Sequence, residues 1–144
     1  MKTIILITSL IIFLFLGFIS NSSAQTITIN FQNIDVKKGG YLYISLYNSD
    51  KGYPHLDNAY KTIYIPVGKK EMKVSFENIK PGIYAINVFH DENSNKKMET
   101  NFIGIPAEGY GLSNNPRLFG PPTFNKTKFE LKGASLSLDI SINY

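Results

Sequence analysis

The chain has 144 residues, of which 18% are charged, a formal net charge of +4 and no Cys. The lack of Cys excludes disulfide bonds and Cys-based catalysis. All of the 15 basic residues except Arg117 are Lys, and these are scattered along the chain. Proteins that read nucleic acids favour the bidentate fork of Arg, so we expect no nucleic-acid partner.

Residues 1–24 have the pattern of a secretory signal peptide. Lys2 gives a minimal positive start, residues 4–19 are almost entirely apolar, and Ser22-Ser23-Ala24 places small residues at the cleavage position. An uncleaved anchor is disfavoured because the apolar run is shorter than the roughly 20 residues that a membrane span needs. We therefore expect cleavage before Gln25 and a secreted or periplasmic protein. After cleavage it would be a single domain, residues 25–144, and not an integral membrane protein.

Alternation of apolar and polar residues predicts an all-β domain. The pattern recurs in seven segments, which are 26–31, 41–47, 62–67, 71–76, 83–89, 128–131 and 136–142. Gly and Pro separate them, and Pro81-Gly82 is typical of a type II turn. Short spacings between the first five segments indicate antiparallel connections, and no segment has the period of an amphipathic helix. The sequence predicts a single antiparallel β-sandwich of about seven strands with one long loop rich in Gly, Pro and Asn.

That loop, residues 90–115, begins with a spacing found in calcium-binding loops. Asp91, Asn93 and Asn95 fall at loop positions 1, 3 and 5, where calcium sites place oxygen ligands. Lys97 would offer its carbonyl at position 7, and Glu99 falls at position 9. The pattern predicts a candidate calcium site made of these five residues.

A second interpretation of the same residues stays open. Position 6 of the loop is Lys96 where calcium loops have Gly, and position 12 is Phe102 where they have Glu. Asx side chains at alternate positions also form turns by accepting hydrogen bonds from the backbone two residues further on. The interpretation favoured by these departures is an Asx-rich turn without metal.

The remaining polar residues of the loop give candidates for ligand binding, which are His90, Glu108, Tyr110 and Asn114. The last three could line a polar recognition surface. Alternatively, Tyr110 could cap the core together with Phe119 and Phe124, which the usual packing of apolar loop residues favours. His90 could join Asp91 and His55 in a transition-metal site, although a lone His at a strand end is more often structural.

A hydrolase is the alternative from another functional class. It would use His90 with Asp91 or Glu108, and Ser113 could be paired with His90 and Asp57. No nucleophile-elbow motif surrounds Ser113. Glu99 and Glu108 could act as paired carboxylates, but nothing in the sequence positions them. We therefore expect that the protein is not an enzyme.

Three motifs resemble the signature of a bacterial secreted family, domain of unknown function 2141. They are PGxYAxxVxHDxNxN at 81–95, GIPxEGYGxSNN at 104–115 and GPPxF at 120–124, with Asn101 between the first two. The resemblance covers residues 25–144 and implies a small exported β-sandwich of the transthyretin or carboxypeptidase-regulatory type. It implies no established activity. The chain departs from the family pattern at Lys96, commonly Gly, and at Glu99, commonly Asp.

The sequence as a whole favours an exported, non-enzymatic binding or accessory module of the bacterial cell envelope. Its working surface would be the loop at 90–115, and its ligand an unknown envelope or extracellular component. The main alternative is an architectural domain whose 91–99 loop is stabilised by calcium and carries no ligand surface.

Overall fold

The structure, a computed structural model, describes residues 24–144. The predicted signal peptide, residues 1–24, therefore lies outside the described residues apart from Ala24. Within the described range, no helix is long and apolar enough to cross a membrane.

Eight strands make residues 24–144 mostly β, as the sequence predicts. They are β1 (Gln25–Gln32), β2 (Tyr41–Tyr47), β3 (Lys61–Pro66), β4 (Met72–Ile79), β5 (Gly82–Asp91), β6 (Tyr110–Leu112), β7 (Phe129–Leu131) and β8 (Leu136–Ser141). The helical elements within the described part of the chain are short: two 3₁₀ turns, Val36–Lys38 and Leu56–Asn58, and one α-helical turn, α1 (Phe124–Thr127). The structure thus has eight strands where the sequence indicated about seven.

The strands form two sheets. The first has three strands in the order β4-β1-β8, and the second has the order β3-β2-β5-β6, with β7 paired to the start of β5. Antiparallel pairing dominates, as expected from the short connections, but β1 and β8 pair in parallel. Strand β5 lies in the centre of the second sheet, and the candidate site begins where it ends.

The alternating residues place their apolar faces in a shared core. Leu42, Ile44 and Leu46 of β2 are fully buried, and so are Ile27 and Ile29 of β1. Side chains from both sheets belong to one hydrophobic cluster. Because each such side chain contributes about 1.5–3 kcal/mol when fully buried, this cluster is the main source of stability in a chain without disulfides.

Two local predictions are wrong. The segment around Tyr110 was expected to be irregular, yet β6 forms there, because Gly111 lets the chain pass close to β8: a Cβ at this position would lie 2.7 Å from Ile140 Cγ2. The predicted type II turn requires a left-handed Gly82, but Gly82 begins β5, and the left-handed residue is Asn78, with φ of 57°.

The side chain of Asn115 covers part of the free edge of β8. Its Nδ2 donates to the carbonyl of Asp139 and its Oδ1 accepts from the amide of Ser141, both at 2.9 Å. Just beyond, Tyr110 and Asn143 exchange two backbone hydrogen bonds of 2.8 Å. The amide side chain therefore takes the place of a neighbouring strand, and the two sheets are joined along this side.

Candidate functional site

His90 is buried at the end of β5, with both ring nitrogens bound to the protein. Nε2 contacts the carbonyl of Gly39, and Nδ1 lies 2.7 Å from the hydroxyl of Tyr144. A carbonyl can only accept, so Nε2 carries a proton, and in the neutral imidazole Nδ1 is then the acceptor from Tyr144. The same hydroxyl accepts from the amide of Asp35 at 2.8 Å. The imidazole therefore has no free nitrogen for a metal or a substrate, and its role in this geometry is structural.

Tyr144 joins this network to the long loop. Its ring lies against Gly109, where an added Cβ would overlap it, and the ammonium of Lys38 lies 5.2 Å from the ring centre. Burial raises the pKa of the Tyr144 phenol, which keeps the hydroxyl protonated as a donor to His90. The amide of His90 in turn donates to the carbonyl of Gly109 at 2.7 Å. The end of the long loop is thereby fixed against the core.

Asp91 fixes the beginning of the loop. Its fully buried carboxylate accepts from the hydroxyl of Tyr64 at 2.7 Å and from the amides of Asn95 and Lys96 at 3.0 and 2.9 Å. These bonds hold Lys96 at φ of 60°, a left-handed conformation that ordinarily favours Gly. Burial, followed by the bond to Asp91, raises the pKa of Tyr64 to about 12, so this phenol remains a donor.

The other predicted calcium ligands form consecutive Asx turns. Asn93 Oδ1 accepts from the amide of Asn95 at 3.1 Å, and Asn95 Oδ1 accepts from the amide of Lys97 at 2.8 Å. Both side-chain amides donate to Glu99 Oε1 at 2.9 Å. The observed arrangement is therefore that of the Asx-rich turn, with the side-chain oxygens directed at the chain itself.

Glu108 closes the turn from the other side. It is 6% exposed, and its carboxylate accepts from the amide of Glu92 at 3.0 Å and from that of Glu99 at 3.2 Å. Desolvation raises its pKa, the two backbone bonds oppose this, and the charges of Asp91 and Glu99 add to the increase. Glu108 thus joins the two ends of the Asx turn.

The carboxylates of Asp91 and Glu108 are both buried in this loop, and neither forms an ion pair with a basic side chain in residues 24–144. The ion pairs in residues 24–144 are Lys38–Glu92 and Lys132–Glu130, and neither includes Asp91 or Glu108. Within the same range, no group of three or more His, Cys, Asp or Glu side chains is arranged to hold a metal ion.

Tyr110 is the first residue of the short strand β6, and Asn114 follows its end. Tyr110 is half-buried at its start, whereas Asn114, after its end, donates to the carbonyl of Lys128 at 2.9 Å. Of the aromatic residues expected to cap the core, Phe124 is half-buried and packs edge-on against Tyr53, which is also half-buried, with ring centres 5.9 Å apart. Phe119 is fully exposed and caps nothing, so that part of the expectation is wrong.

The Ser113 and Asp57 partners of the hydrolase hypothesis do not lie beside His90. Ser113 is fully buried, accepts from the amide of Ile86 at 2.9 Å and donates to the carbonyl of Thr127 at 2.6 Å. Ile86 precedes His90 by four strand residues, a separation of about 13 Å. Asp57 is exposed in the second 3₁₀ turn. The structure therefore shows no Ser–His pair among these residues.

The most exposed apolar side chains of the loop were not predicted as functional. Phe102 is 98% exposed, Ile103 64% and Ile105 54%. The sequence offered a signal for this exposed apolar segment, because residues 100–107 carry no charge whereas the residues on either side, Glu99 and Glu108, are acidic. We refer to residues 100–107 as the loop tip.

Comparison with known proteins supports the resemblance found in the sequence. A family model described as "Uncharacterized protein conserved in bacteria (DUF2141)" matches residues 29–139, from β1 into β8. Searches of curated proteins and of solved structures found no match. The matched range includes the Asx turn, Glu108 and the loop tip, so the chain belongs to the DUF2141 family.

Proposed function

We propose that the protein is an exported, non-enzymatic binding module of the bacterial cell envelope, and that the loop between β5 and β6 is its binding surface. The observation that carries the proposal is the exposure of Phe102, Ile103 and Ile105 at the loop tip. Apolar side chains that a protein leaves in water at one place commonly mark an interaction site.

The base of the loop supports this function because it is held rigidly. Asp91 ties it to β3 through Tyr64, and Glu108 ties residue 92 to residue 99. Charge-assisted hydrogen bonds of this kind are stronger than neutral ones. A fixed base lowers the conformational entropy that the tip would lose on binding.

The rest of the chain agrees with an accessory role outside the cytoplasm. The candidate catalytic groups His90 and Ser113 are buried and bonded within the protein. Two sheets around one core are what a small sandwich domain of the transthyretin or carboxypeptidase-regulatory type would have, and we propose that architecture here. Export rests on the signal pattern of residues 1–24.

The experiment is a binding assay with protein recovered after export from a bacterial host, so that any processing has taken place. Wild type, Phe102→Ser and Phe119→Ser are sedimented with washed cell-envelope fragments. Phe119 is an equally exposed phenylalanine in another loop and serves as the matched control. We expect only Phe102→Ser to lower the bound fraction. Equal binding by all three proteins would remove the loop tip as the binding surface.

A second candidate function is a loop stabilised by a calcium ion. It is favoured by the burial of Asp91 and Glu108 without a basic partner in residues 24–144, because buried charges are usually paired or bound to metals. Calcium would then raise the melting temperature of wild type but not of Glu99→Gln, which retains the contacts of Asp91. Glu130→Gln, an exposed substitution on β7, is the control. An unchanged melting temperature at millimolar calcium would reject this function.

A further inference from the structure

The loop tip is uncharged and exposed along its whole length. Every residue from Thr100 to Ala107 is exposed, and none of them is acidic, basic or His. The side chains of Phe102, Ile103 and Ile105 together present an apolar area on the order of 400 Å² to solvent. Water is therefore an unfavourable surrounding for this part of the loop.

The backbone of the tip is bonded to itself through Asn101. The Asn101 amide donates to the carbonyl of Ile105 at 2.8 Å, and its carbonyl accepts from Gly104 at 2.9 Å. The side-chain oxygen of Asn101 accepts from the amides of Ile103 and Ile105 at 3.1 and 3.0 Å. Such a closed set of bonds adds little in water, where amides have other partners.

The neighbouring amides complete this pattern. Ala107 donates to the carbonyl of Glu99 at 2.8 Å, and Pro106 has no N–H group to satisfy. From Asn101 to Ala107, only the amide of Phe102 lacks an acceptor in the structure. In a hydrocarbon medium each unpaired backbone group costs several kcal/mol, so amides that are already satisfied within the tip lower the cost of entering such a medium.

From these observations we propose that the loop tip inserts into the surface of a lipid membrane. The proposal rests on the proposed function, in which this loop is the binding surface, and names its partner as a lipid layer. Stable protein–protein interfaces bury about 800 Å² on each partner, roughly twice what the tip offers. Shallow insertion of a few apolar side chains, by contrast, is enough for reversible membrane binding.

The charges at the base of the loop indicate how the binding should depend on salt. The charged side chains there are Lys38, Asp91, Glu92, Lys96, Lys97, Glu99 and Glu108. Four acidic and three basic groups nearly cancel, so the base provides little attraction to anionic lipids. Binding is then driven by the apolar side chains, and it persists at high salt.

The test uses the exported protein and two vesicle compositions, phosphatidylcholine alone and equal parts of phosphatidylethanolamine and phosphatidylglycerol. Partition is measured by sedimentation at low and high salt for wild type, Phe102→Ser, Asn101→Ala and the control Phe119→Ser. We expect wild type and the control to bind both kinds of vesicle at both salt concentrations. Phe102→Ser should lower the partition coefficient about tenfold or more. Asn101→Ala should lower it as well, since it leaves two tip amides unpaired.

Other outcomes separate this proposal from the function on which it rests. If wild type binds envelope fragments through Phe102 but binds neither vesicle, the binding surface stands and the lipid partner is wrong. If Phe102→Ser instead abolishes a concentration-dependent dimer seen by analytical ultracentrifugation, the partner is a second copy. If vesicle binding is lost at high salt and is unchanged in Phe102→Ser, then the binding is electrostatic and is due to the scattered lysines. That result would overturn the insertion proposal.

Discussion

Replacing Asp91 by Asn should destabilise the protein strongly while preserving the shape of the side chain. The carboxylate accepts three hydrogen bonds, from Tyr64, Asn95 and Lys96. The side-chain amide introduced by the substitution has only one oxygen. In the orientation that preserves more of the three bonds, this oxygen still accepts from Tyr64 and Lys96, and the NH₂ group then faces the backbone amide of Asn95. An unsatisfied buried donor costs about 1–3 kcal/mol, and two remaining bonds lose their charge assistance. Relief of charge burial offsets part of this, leaving a loss of about 2–4 kcal/mol.

For a domain of this size the expected loss corresponds to a fall in melting temperature of about 10–15 °C. The measurement is thermal and urea unfolding followed by circular dichroism, with Asp139→Asn as the comparison. Asp139 is exposed and accepts from Asn30 at 2.8 Å, so its substitution should cost less than about 0.5 kcal/mol. Amide exchange should also accelerate at Asn95. Equal losses for the two variants, or unchanged exchange at Asn95, would refute the reasoning.

Three further predictions concern the groups that close the loop. Tyr144→Phe removes the donor to His90 Nδ1 and should cost about 1–3 kcal/mol, with a changed ¹⁵N shift of that nitrogen; an unaltered shift would contradict the assigned network. Gly109→Ala should cost about 1–3 kcal/mol by overlap with the Tyr144 ring, whereas Gly120→Ala, which has open space, should cost nothing measurable; a double variant with Tyr144→Ala should be less than additive. The raised pKa of Glu108 means that the folded state binds its proton more readily than the unfolded state. Wild type should therefore gain stability relative to Glu108→Gln as the pH falls through the range just above 4.5, and urea midpoints that diverge in the opposite direction would show the sign to be wrong.

The strands could be predicted because their signal is local. In β1, buried and less buried side chains alternate along the strand, and that period of two can be read directly from the sequence. Strand β6 was missed because it has three residues with Gly111 at the centre, too few to show a period. Its formation depends on pairing with β5, which no local pattern reports.

In the candidate site, too, the contacts between residues close in sequence could be predicted and those between distant residues could not. The Asx turn follows from the spacing of Asp91, Asn93 and Asn95, whose bonds reach only two to five residues along the chain. The groups that complete it come from far away: Tyr64 is 27 residues from Asp91, and Tyr144 is 54 residues from His90. The sequence therefore showed which residues form the turn but not what holds the loop to the core.

The side-chain amide of Asn115 has a consequence for behaviour at high concentration. Exposed strand edges act as templates on which other chains add as further strands, the first step towards fibrils. On β8, the carbonyl of Asp139 and the amide of Ser141 are occupied by Asn115 and cannot recruit such a strand. At this edge the protein thus carries its own protection against polymerisation, in the form of one amide side chain.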